Sequence, residues 1–228
     1  MVKLVVGGAQ IGGIQKDETR EEVVARMLTL MDEAHAQGVE FLAYPEMTLT
    51  TFFPRFYVED RADFDHWFET EMPNAATQPL FERARSYGMG FTFGYCELTP
   101  EGQHFNTSVI VSPEGEIVLT YRKTHLPGHA EYEPERTHQH LEKRYFLPGD
   151  TGFNVARSQD VLMGMAICND RRWPESWRVM GLQGVELVSI GYNTPSQNNL
   201  SKTEGLEKRL YHHELSVCAG AYQNSTYA

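Results

Sequence analysis

The chain has 228 residues, of which 41% are hydrophobic and 22% are charged, so it can build one sizeable core and is not disordered over most of its length. Its formal net charge is −11, and an acidic surface repels phosphate backbones, which disfavours generic nucleic-acid binding. An anionic substrate would need local positive charge in its pocket.

The three cysteines, Cys96, Cys168 and Cys218, indicate a reducing compartment. An odd number at wide spacing is a poor disulfide framework, and the sequence contains no CxxC pair for zinc. Residues 1–10 lack the apolar region of a signal peptide, and no apolar run is long enough to cross a bilayer. We therefore expect a cytoplasmic protein with no membrane partner, in which the sequon at Asn106 is not glycosylated.

The first third of the chain predicts strand, helix and strand. Residues 2–9 are apolar and predict a buried strand. Thr19 and Glu22 form a capping-box pattern, and the helix that follows is ended by Gly38. Its apolar face has helical spacing and consists of Val23, Val24, Met27, Leu28, Met31 and Ala34. Residues 39–44 predict a strand that runs into Pro45 and Glu46.

The middle of the chain predicts a helix followed by a hairpin. A helix over residues 78–87 is closed by Gly88, and a strand covers residues 90–98. Strands over 105–111 and 116–122 are joined by Ser-Pro-Glu-Gly at 112–115, a typical hairpin turn. The hairpin indicates a mixed sheet.

The last part of the chain predicts further strands and helices after a long loop. The loop covers residues 123–150 and is rich in His, Pro and Glu. The elements predicted after it are strands over 161–168 and 185–191, helices over 174–182 and 202–219, and a strand that starts at Tyr222. Alternating strands and helices with no linker predict a single α/β domain over residues 1–228.

Cys168 is the candidate nucleophile. Most free cysteines are inert core thiols, and Cys96 and Cys218 fit that interpretation because they lie inside predicted elements. An apolar strand ends at Cys168, and Asn-Asp-Arg-Arg follows at 169–172. Nearby guanidinium groups favour a thiolate, and a turn after a strand directs backbone N–H groups at an oxyanion.

Glu46 and Lys123 also follow predicted strands. A carboxylate at the end of a buried strand is desolvated, which raises its pKa into the range of a general base. A lysine in such a place can stabilise developing negative charge. Each residue alone is more often an ordinary surface side chain, but strand ends are where α/β sheets bind ligands.

The histidine-rich loop allows a competing hypothesis, a metallohydrolase. His125, His129, His138 and His140 lie there among the glutamates Glu131, Glu133, Glu135 and Glu142. Their spacing matches no standard zinc pattern, and HExxH is absent. The sequence also lacks GxGxxG and GxxxxGK[ST], so it gives no support to a nucleotide cofactor.

Three motifs occur in the order found in the nitrilase superfamily of carbon–nitrogen hydrolases, which this sequence resembles. They are Tyr44-Pro45-Glu46, YRKTHLPG at 121–128, and Ile167-Cys168-Asn169-Asp170. Further stretches resemble the branch that hydrolyses N-carbamoyl-D-amino acids, and they are LTTFFPR at 49–55, HLEKRYF at 140–146, residues 168–177, and GYNTP at 191–195.

The resemblance implies a covalent mechanism that needs no metal or cofactor. Glu46 would be the general base, Cys168 the nucleophile and Lys123 the oxyanion stabiliser, with Glu142 as a second carboxylate that positions Lys123. The implied substrate contacts are His125, His140, Asn169, Arg171, Arg172, Asn193 and Thr194. The two arginines would hold the carboxylate of a small N-carbamoyl amino acid. The products would be a D-amino acid, ammonia and carbon dioxide.

The resemblance also implies a nitrilase-like α-β-β-α sandwich and a homo-oligomer, either a dimer or a tetramer. Members of the family continue past the position of Ala228, so we expect this chain to lack the C-terminal part of the family domain. The alternatives left open are a related amidase or nitrilase, a ureidopropionase-like enzyme, and an inactive truncated remnant.

Overall fold

The computed structural model describes residues 3–60, 62–136, 139–194 and 205–228. Helices and strands alternate along most of this part of the chain. In chain order they are β1 Val6–Gly8, α1 Arg20–Ala36, β2 Phe41–Ala43, α2 Ala62–Asp65, α3 Gln78–Tyr87, β3 Gly90–Leu98, β4 His104–Val111, β5 Ile117–Arg122, α4 Glu142–Tyr145, β6 Val155–Ser158, β7 Val161–Ile167, α5 Pro174–Leu182, β8 Leu187–Gly191 and α6 Leu206–Gln223. Short 3₁₀ turns cover Phe53–Arg55 and Cys168–Arg172.

The strands form two mixed sheets. The first has the order β1-β2-β3-β4-β5, in which β1, β2 and β3 are parallel and β3, β4 and β5 are antiparallel. The second has the order β6-β7-β8, with β6 antiparallel and β8 parallel to β7. The predicted hairpin is confirmed, and the N–H of Gly115 donates to the carbonyl of Ser112 at 2.9 Å.

Three apolar clusters define four layers. Helices α1 and α3 cover the outer face of the first sheet, where Met27 and Phe81 join one buried cluster with Phe91. A second cluster joins the two sheets and contains Phe41, Ile110, Tyr121, Met163, Met165 and Ile167. Helices α5 and α6 cover the second sheet through a third cluster around Trp177. The order helix, sheet, sheet, helix confirms the predicted sandwich.

Helix α1 begins and ends where the sequence predicts. The hydroxyl of Thr19 accepts the N–H of Glu22 at 3.2 Å, and the carboxylate of Glu22 accepts the N–H of Thr19 at 2.9 Å. This reciprocal pair satisfies two donors that the first turn leaves open. At the other end Gly38 adopts a φ of +76°, a conformation that favours glycine. The residues predicted to face the core do so, with Leu28 partly buried.

The prediction of a buried strand over residues 2–9 is wrong. Among the described residues of this segment, Val6–Gly8 form the strand, and Val6 is 54% exposed. Strand β1 lies at the edge of the first sheet and pairs with β2 alone in the described part of the chain. Apolar composition alone does not distinguish an edge strand from a central one.

The predicted strand at Tyr222 is also wrong. Helix α6 continues through Gln223, and only Tyr227 makes an isolated parallel bridge, to Leu187. Gly220 lies inside this helix and does not end it. A Cβ at this position would lie 2.2 Å from the ring of Trp177, so the glycine allows the helix to pack closely against that ring. Residues 202–204 of the predicted helix lie outside the described residues. Within the described ranges, none of the helices has the length and apolar character required to span a membrane.

Candidate active site

The polar ends of three strands meet between the sheets. Glu46 follows β2, Lys123 directly follows β5, and Cys168 directly follows β7. Nζ of Lys123 donates to Oε1 of Glu46 at 2.7 Å. A Cβ at Gly94 on β3 would lie 2.9 Å from Cα of Glu46. The glycine therefore lets the backbone of Glu46 approach the neighbouring strand.

Lys123 is the centre of a buried ionic cluster. Its ammonium also donates to Oε2 of Glu142 at 2.5 Å, and the three side chains are at most 1% exposed. Burial alone lowers the pKa of Lys123, but the surrounding acidic groups outweigh burial and raise the pKa well above its usual value. Lys123 therefore stays protonated and can present a fixed positive charge to an oxyanion.

One carboxylate oxygen of Glu46 accepts hydrogen bonds, and the other accepts none from the described residues. Oε1 accepts from Lys123 and from Nδ2 of Asn106, the latter at 2.7 Å. Oε2 is buried and accepts no hydrogen bond from any described residue. Burial raises the pKa of Glu46, although the positive charge of Lys123 opposes the shift. A buried carboxylate with a free oxygen and a raised pKa is suited to accept a proton.

Glu142, the first residue of α4, is the more strongly ionised carboxylate. Its Oε1 lies 3.0 Å from Nε2 of His140. Burial opposes its ionisation, but the charge of Lys123 and the hydrogen bond from His140 lower the pKa of Glu142 below its usual value. Glu142 thus holds the lysine in place while Glu46 remains able to take a proton.

Cys168 has a strained backbone and a protonated thiol. Its φ is +48°, in the left-handed region that non-glycine residues rarely adopt. Burial and the negative charge of Glu46 raise the pKa of the Cys168 thiol to about 12, although Lys123 and Arg171 oppose the shift. Arg171 does favour the thiolate, as expected, but burial and the carboxylates outweigh it, so the resting group is the thiol. Attack by this sulfur requires a base.

Asp170 connects the turn that carries Cys168 to the loop after Lys123, although it is not among the site residues predicted from the sequence. It is fully buried. Oδ1 accepts the N–H of His125 at 2.9 Å and contacts its Nδ1 at 2.8 Å, while Oδ2 accepts the hydroxyl of Tyr121 at 2.8 Å and the N–H of Ile167 at 3.1 Å. Only its position, two residues after Cys168, could have indicated this role.

Asn106 was missed for a different reason. It lies in the middle of β4 and is fully buried, whereas from the sequence it stood out only as part of a glycosylation sequon. A polar side chain in a strand whose neighbours are buried needs a partner, and its partner is Glu46. The polar position within an apolar strand was the available signal.

Several predicted substrate contacts bond to the backbone of the site. Nδ2 of Asn169 donates to the carbonyl of His125 at 3.1 Å, and Nδ2 of Asn193 donates to the carbonyl of Glu46 at 3.2 Å. Thr194 follows Asn193 and is partly buried. The ring of His125 stacks on Trp173 with centroids 5.3 Å apart. These residues surround the nucleophile and the carboxylate from two sides.

The two predicted arginines have different environments and do not form one clamp. Arg171 is 1% exposed, and its guanidinium donates to the carbonyl of Cys168 and to Nδ1 of His213. Arg172 is exposed. Of the pair, Arg172 has the guanidinium that solvent and ligands can reach.

The histidine loop does not form a metal site in the part of the chain that the structure describes. No three His, Cys, Asp or Glu side chains converge there as a ligand set. Nδ1 of His129 lies 2.7 Å from the carbonyl of Glu131, and His140 bonds to Glu142. His138 lies outside the described residues.

Comparison with known proteins places this geometry in a family. The family model described as carbon-nitrogen hydrolase matches residues 5–228. The N-carbamoylputrescine amidase of Arabidopsis thaliana is 32% identical over 165 residues, which cover 72% of this chain and 51% of that protein. The chain thus spans about half the length of the curated relatives it matches.

Solved structures share the fold at low sequence identity. The carbon-nitrogen hydrolase from Helicobacter pylori G27 superposes with a TM-score of 0.80 at 20% identity, covering 98% of this chain and 71% of that one. A mutant amidase from Nesterenkonia sp. AN1, which shows the result of Michael addition of acrylamide at its active site cysteine, has a TM-score of 0.63 at 21% identity over 82% of this chain and 67% of that one. The chain belongs to the carbon-nitrogen hydrolase family, the nitrilase superfamily.

Proposed function

We propose that this chain hydrolyses a carbon–nitrogen bond of a small carbamoyl compound through a covalent intermediate on Cys168. The observation that carries the proposal is the buried cluster of Glu46, Lys123 and Glu142, in which one oxygen of Glu46 remains free. A base with an open acceptor atom, a fixed cation and a thiol that needs a base are the parts that nucleophilic acyl transfer requires.

The first half of the reaction forms an acyl-enzyme. Glu46 takes the proton of the Cys168 thiol, and the sulfur attacks the ureido carbonyl. The carbonyl electron pair moves onto oxygen, where Lys123 and the N–H of Asn169 stabilise the charge. The tetrahedral intermediate collapses, the protonated amine leaves with the proton held by Glu46, and a thioester remains.

The second half regenerates the thiol. Glu46 takes a proton from water, and the hydroxide attacks the thioester carbonyl. The C–S bond breaks, and the sulfur recovers its proton. For a ureido substrate the sum is one amine, ammonia and carbon dioxide for each water consumed, so ammonia release follows turnover.

N-carbamoyl-D-amino acids are the first proposed substrates. Support comes from the resemblance at residues 140–146 and 191–195, and from Arg172, which is exposed beside the turn of Cys168. A guanidinium at that place can pair with the substrate carboxylate. It supplies the local positive charge that an anion needs near a protein of net charge −11.

A carbamoyl amine, which lacks a carboxylate, is the second candidate. The relative that is 32% identical is named for N-carbamoylputrescine, a substrate without a carboxylate. The burial of Arg171 also favours this candidate, because its guanidinium is already bound to protein atoms. Only one of the two predicted arginines then remains for a carboxylate.

The deciding experiment is a substrate panel read by ammonia release. It contains N-carbamoyl-D- and L-amino acids, N-carbamoylputrescine, a simple amide and a nitrile, tested with the wild-type chain and with Cys168→Ser. Turnover of a carbamoyl compound that Cys168→Ser loses is expected. No turnover of any compound, or turnover retained in Cys168→Ser, contradicts the proposal.

Arg172→Ala separates the two substrate classes. For an N-carbamoyl-D-amino acid, KM should rise about 10-fold or more, since a charge-assisted hydrogen bond contributes about 1.5–3 kcal/mol. KM for a neutral amide should not change. The matched control is Arg178→Ala, which alters an exposed arginine on α5. An unchanged KM for the carboxylate substrate in Arg172→Ala favours the carbamoyl amine.

We also propose that the chain forms a homo-oligomer. Helices α5 and α6 expose large apolar side chains, which are Val179, Leu182, Leu206, Leu210, Tyr211, Leu215 and Tyr222. The two helices pack against each other, and a group of exposed apolar side chains on neighbouring elements is typical of an interface. Sedimentation equilibrium should give a dimer or tetramer, and a monomer at high concentration contradicts the proposal.

A further inference from the structure

Arg171 contacts the nucleophile through the backbone. One nitrogen of its guanidinium, Nη1, donates to the carbonyl oxygen of Cys168, and Nη2 donates to Nδ1 of His213 on α6 at 2.6 Å. The guanidinium carbon lies 4.2 Å from the ring centroid of Tyr192, after β8. Three separate parts of the chain therefore meet at one buried side chain.

Further contacts restrain the arginine and the residues around it. The ring of Tyr192 stacks on His213 with centroids 5.5 Å apart and an interplanar angle of 9°. The carbonyl of Arg171 accepts Nε1–H of Trp177 at 2.9 Å. The guanidinium is thus held by the ring of Tyr192, the imidazole of His213 and the carbonyl of Cys168, and these contacts occupy it with protein atoms.

That contact determines the orientation of one peptide plane. In a trans peptide the C=O and the N–H of the next residue point in opposite directions. Because Arg171 holds the carbonyl of Cys168, the N–H of Asn169 points away from Arg171. The side chain of Asn169 bonds to the carbonyl of His125, on the loop that follows Lys123. Asn169 thus contacts the side of the turn where the buried cation lies.

The backbone at Cys168 needs such support. Its φ of +48° is unfavourable for a residue with a Cβ, by about 1–3 kcal/mol. On the preceding side the N–H of Ile167 is held by Asp170 at 3.1 Å. On the following side the holding group is Arg171. The backbone N–H of Arg171 bonds to the same carbonyl within the 3₁₀ turn, and the guanidinium adds a second donor that restrains the peptide between residues 168 and 169.

We propose that Arg171 is a positioning residue that aims the N–H of Asn169 at the oxyanion by anchoring the carbonyl of Cys168. The inference rests on the proposed function in taking Cys168 as the nucleophile, and it assigns Arg171 a role other than binding the substrate carboxylate. Loss of one oxyanion donor lowers kcat by about 100- to 1000-fold, and a misaimed donor should cost about 10-fold or more.

Two alkylating probes isolate this role without requiring turnover. With acrylamide, the S–C bond forms at the β-carbon, the π electron pair moves onto the amide oxygen, and the thiol proton ends on the α-carbon. With iodoacetamide, the S–C bond forms as iodide leaves, the thiol proton goes to solvent, and no oxyanion develops. The ratio of the two rates at Cys168 therefore reports oxyanion stabilisation separately from thiol reactivity.

The rates are measured for Cys168 by peptide mass spectrometry in wild-type, Arg171→Met and Arg171→Lys chains. Arg171→Met keeps an apolar stem and removes the donors, whereas Arg171→Lys keeps a single donor. Exposed Cys218 is the internal reference. The control is Arg178→Met, because Arg178 also donates to a backbone carbonyl, that of Gln223 at 3.2 Å, away from the site.

Arg171→Met should react with acrylamide about 10-fold more slowly or worse and with iodoacetamide within about 3-fold of wild type, with Arg171→Lys in between. Equal slowing of both reagents overturns the inference, because the thiol or the fold is then affected. Unchanged rates with both reagents overturn it as well. A wild-type chain that releases no ammonia contradicts the proposed function, whereas the ratio tests Arg171 in either case.

Discussion

Replacing Lys123 with methionine tests the buried cluster most severely. The ammonium lies 2.7 Å from Glu46 and 2.5 Å from Glu142. Coulomb attraction at an effective dielectric constant of about 20 is roughly 6 kcal/mol for a contact of this length, and desolvation of the ions offsets much of it. Removal of one partner from a buried pair typically costs about 3–5 kcal/mol. Lys123→Met should therefore lower the free energy of unfolding by about that amount at neutral pH.

The loss should depend on pH in a defined direction. Without the lysine, burial raises the pKa of the two carboxyls in the folded state. A raised folded pKa means that the stability contribution is present below the unfolded value, about 4.3, and is lost as the pH rises through the folded pKa. The deficit of Lys123→Met relative to wild type should thus be larger at pH 7.5 than at pH 5.

Urea unfolding at those two pH values measures the deficit. The double variant Lys123→Met/Glu142→Gln removes one of the two unpaired carboxylates and should recover part of the stability. The control is Lys208→Met, because Lys208 is exposed on α6 and should change stability by less than about 0.5 kcal/mol. A deficit under about 1 kcal/mol, or a double variant less stable than Lys123→Met, would refute the ionic cluster.

Other perturbations test single contacts. Asp170→Asn replaces an acceptor oxygen by a donor, so it should lower both kcat and the melting temperature; unchanged values in both assays contradict its role. Gly94→Ala places a Cβ 2.9 Å from Cα of Glu46 and should cost about 1–3 kcal/mol in urea unfolding, whereas Gly8→Ala, on β1 where no atom lies within 4 Å of the added Cβ, is the comparison. Because the pKa of Cys168 is about 12, its iodoacetamide rate should still rise between pH 9 and 10, and a plateau near the ordinary thiol value of about 8.5 would refute the shift. The same raised pKa contributes stability that is lost as the pH rises from about 8.5 toward 12.

The elements that the sequence predicted best have strong local signals at their ends. Helix α3 has the predicted bounds because Gly88 adopts a left-handed conformation, with φ +60°, directly after Tyr87. Helix α5 starts at Pro174, which suits the first turn of a helix. The errors at β1 and Tyr222 concern segments whose neighbours in space, and not their own residues, decide the conformation.

The sequence indicated which residues form the candidate site, but not which of their atoms make contact. Strand ends indicated Glu46, Lys123 and Cys168, but their spacing along the chain contains no information on which oxygen meets the ammonium. Asn106 was overlooked because its partner is on another strand. The effect of Arg171 on the thiol pKa was visible in the local sequence, but burial depends on the whole sandwich and outweighs it.

Reading the adduct on Cys168 during turnover tests the central claim most directly. The chain is mixed with an N-carbamoyl substrate, quenched with acid within the first turnovers, digested and analysed by peptide mass spectrometry. We predict a substrate-derived acyl group on the Cys168 peptide, whose mass also identifies which amine leaves first, and no adduct in Cys168→Ala. Ammonia release without any adduct on Cys168, or an equal rate in Cys168→Ala, would contradict covalent catalysis by this residue.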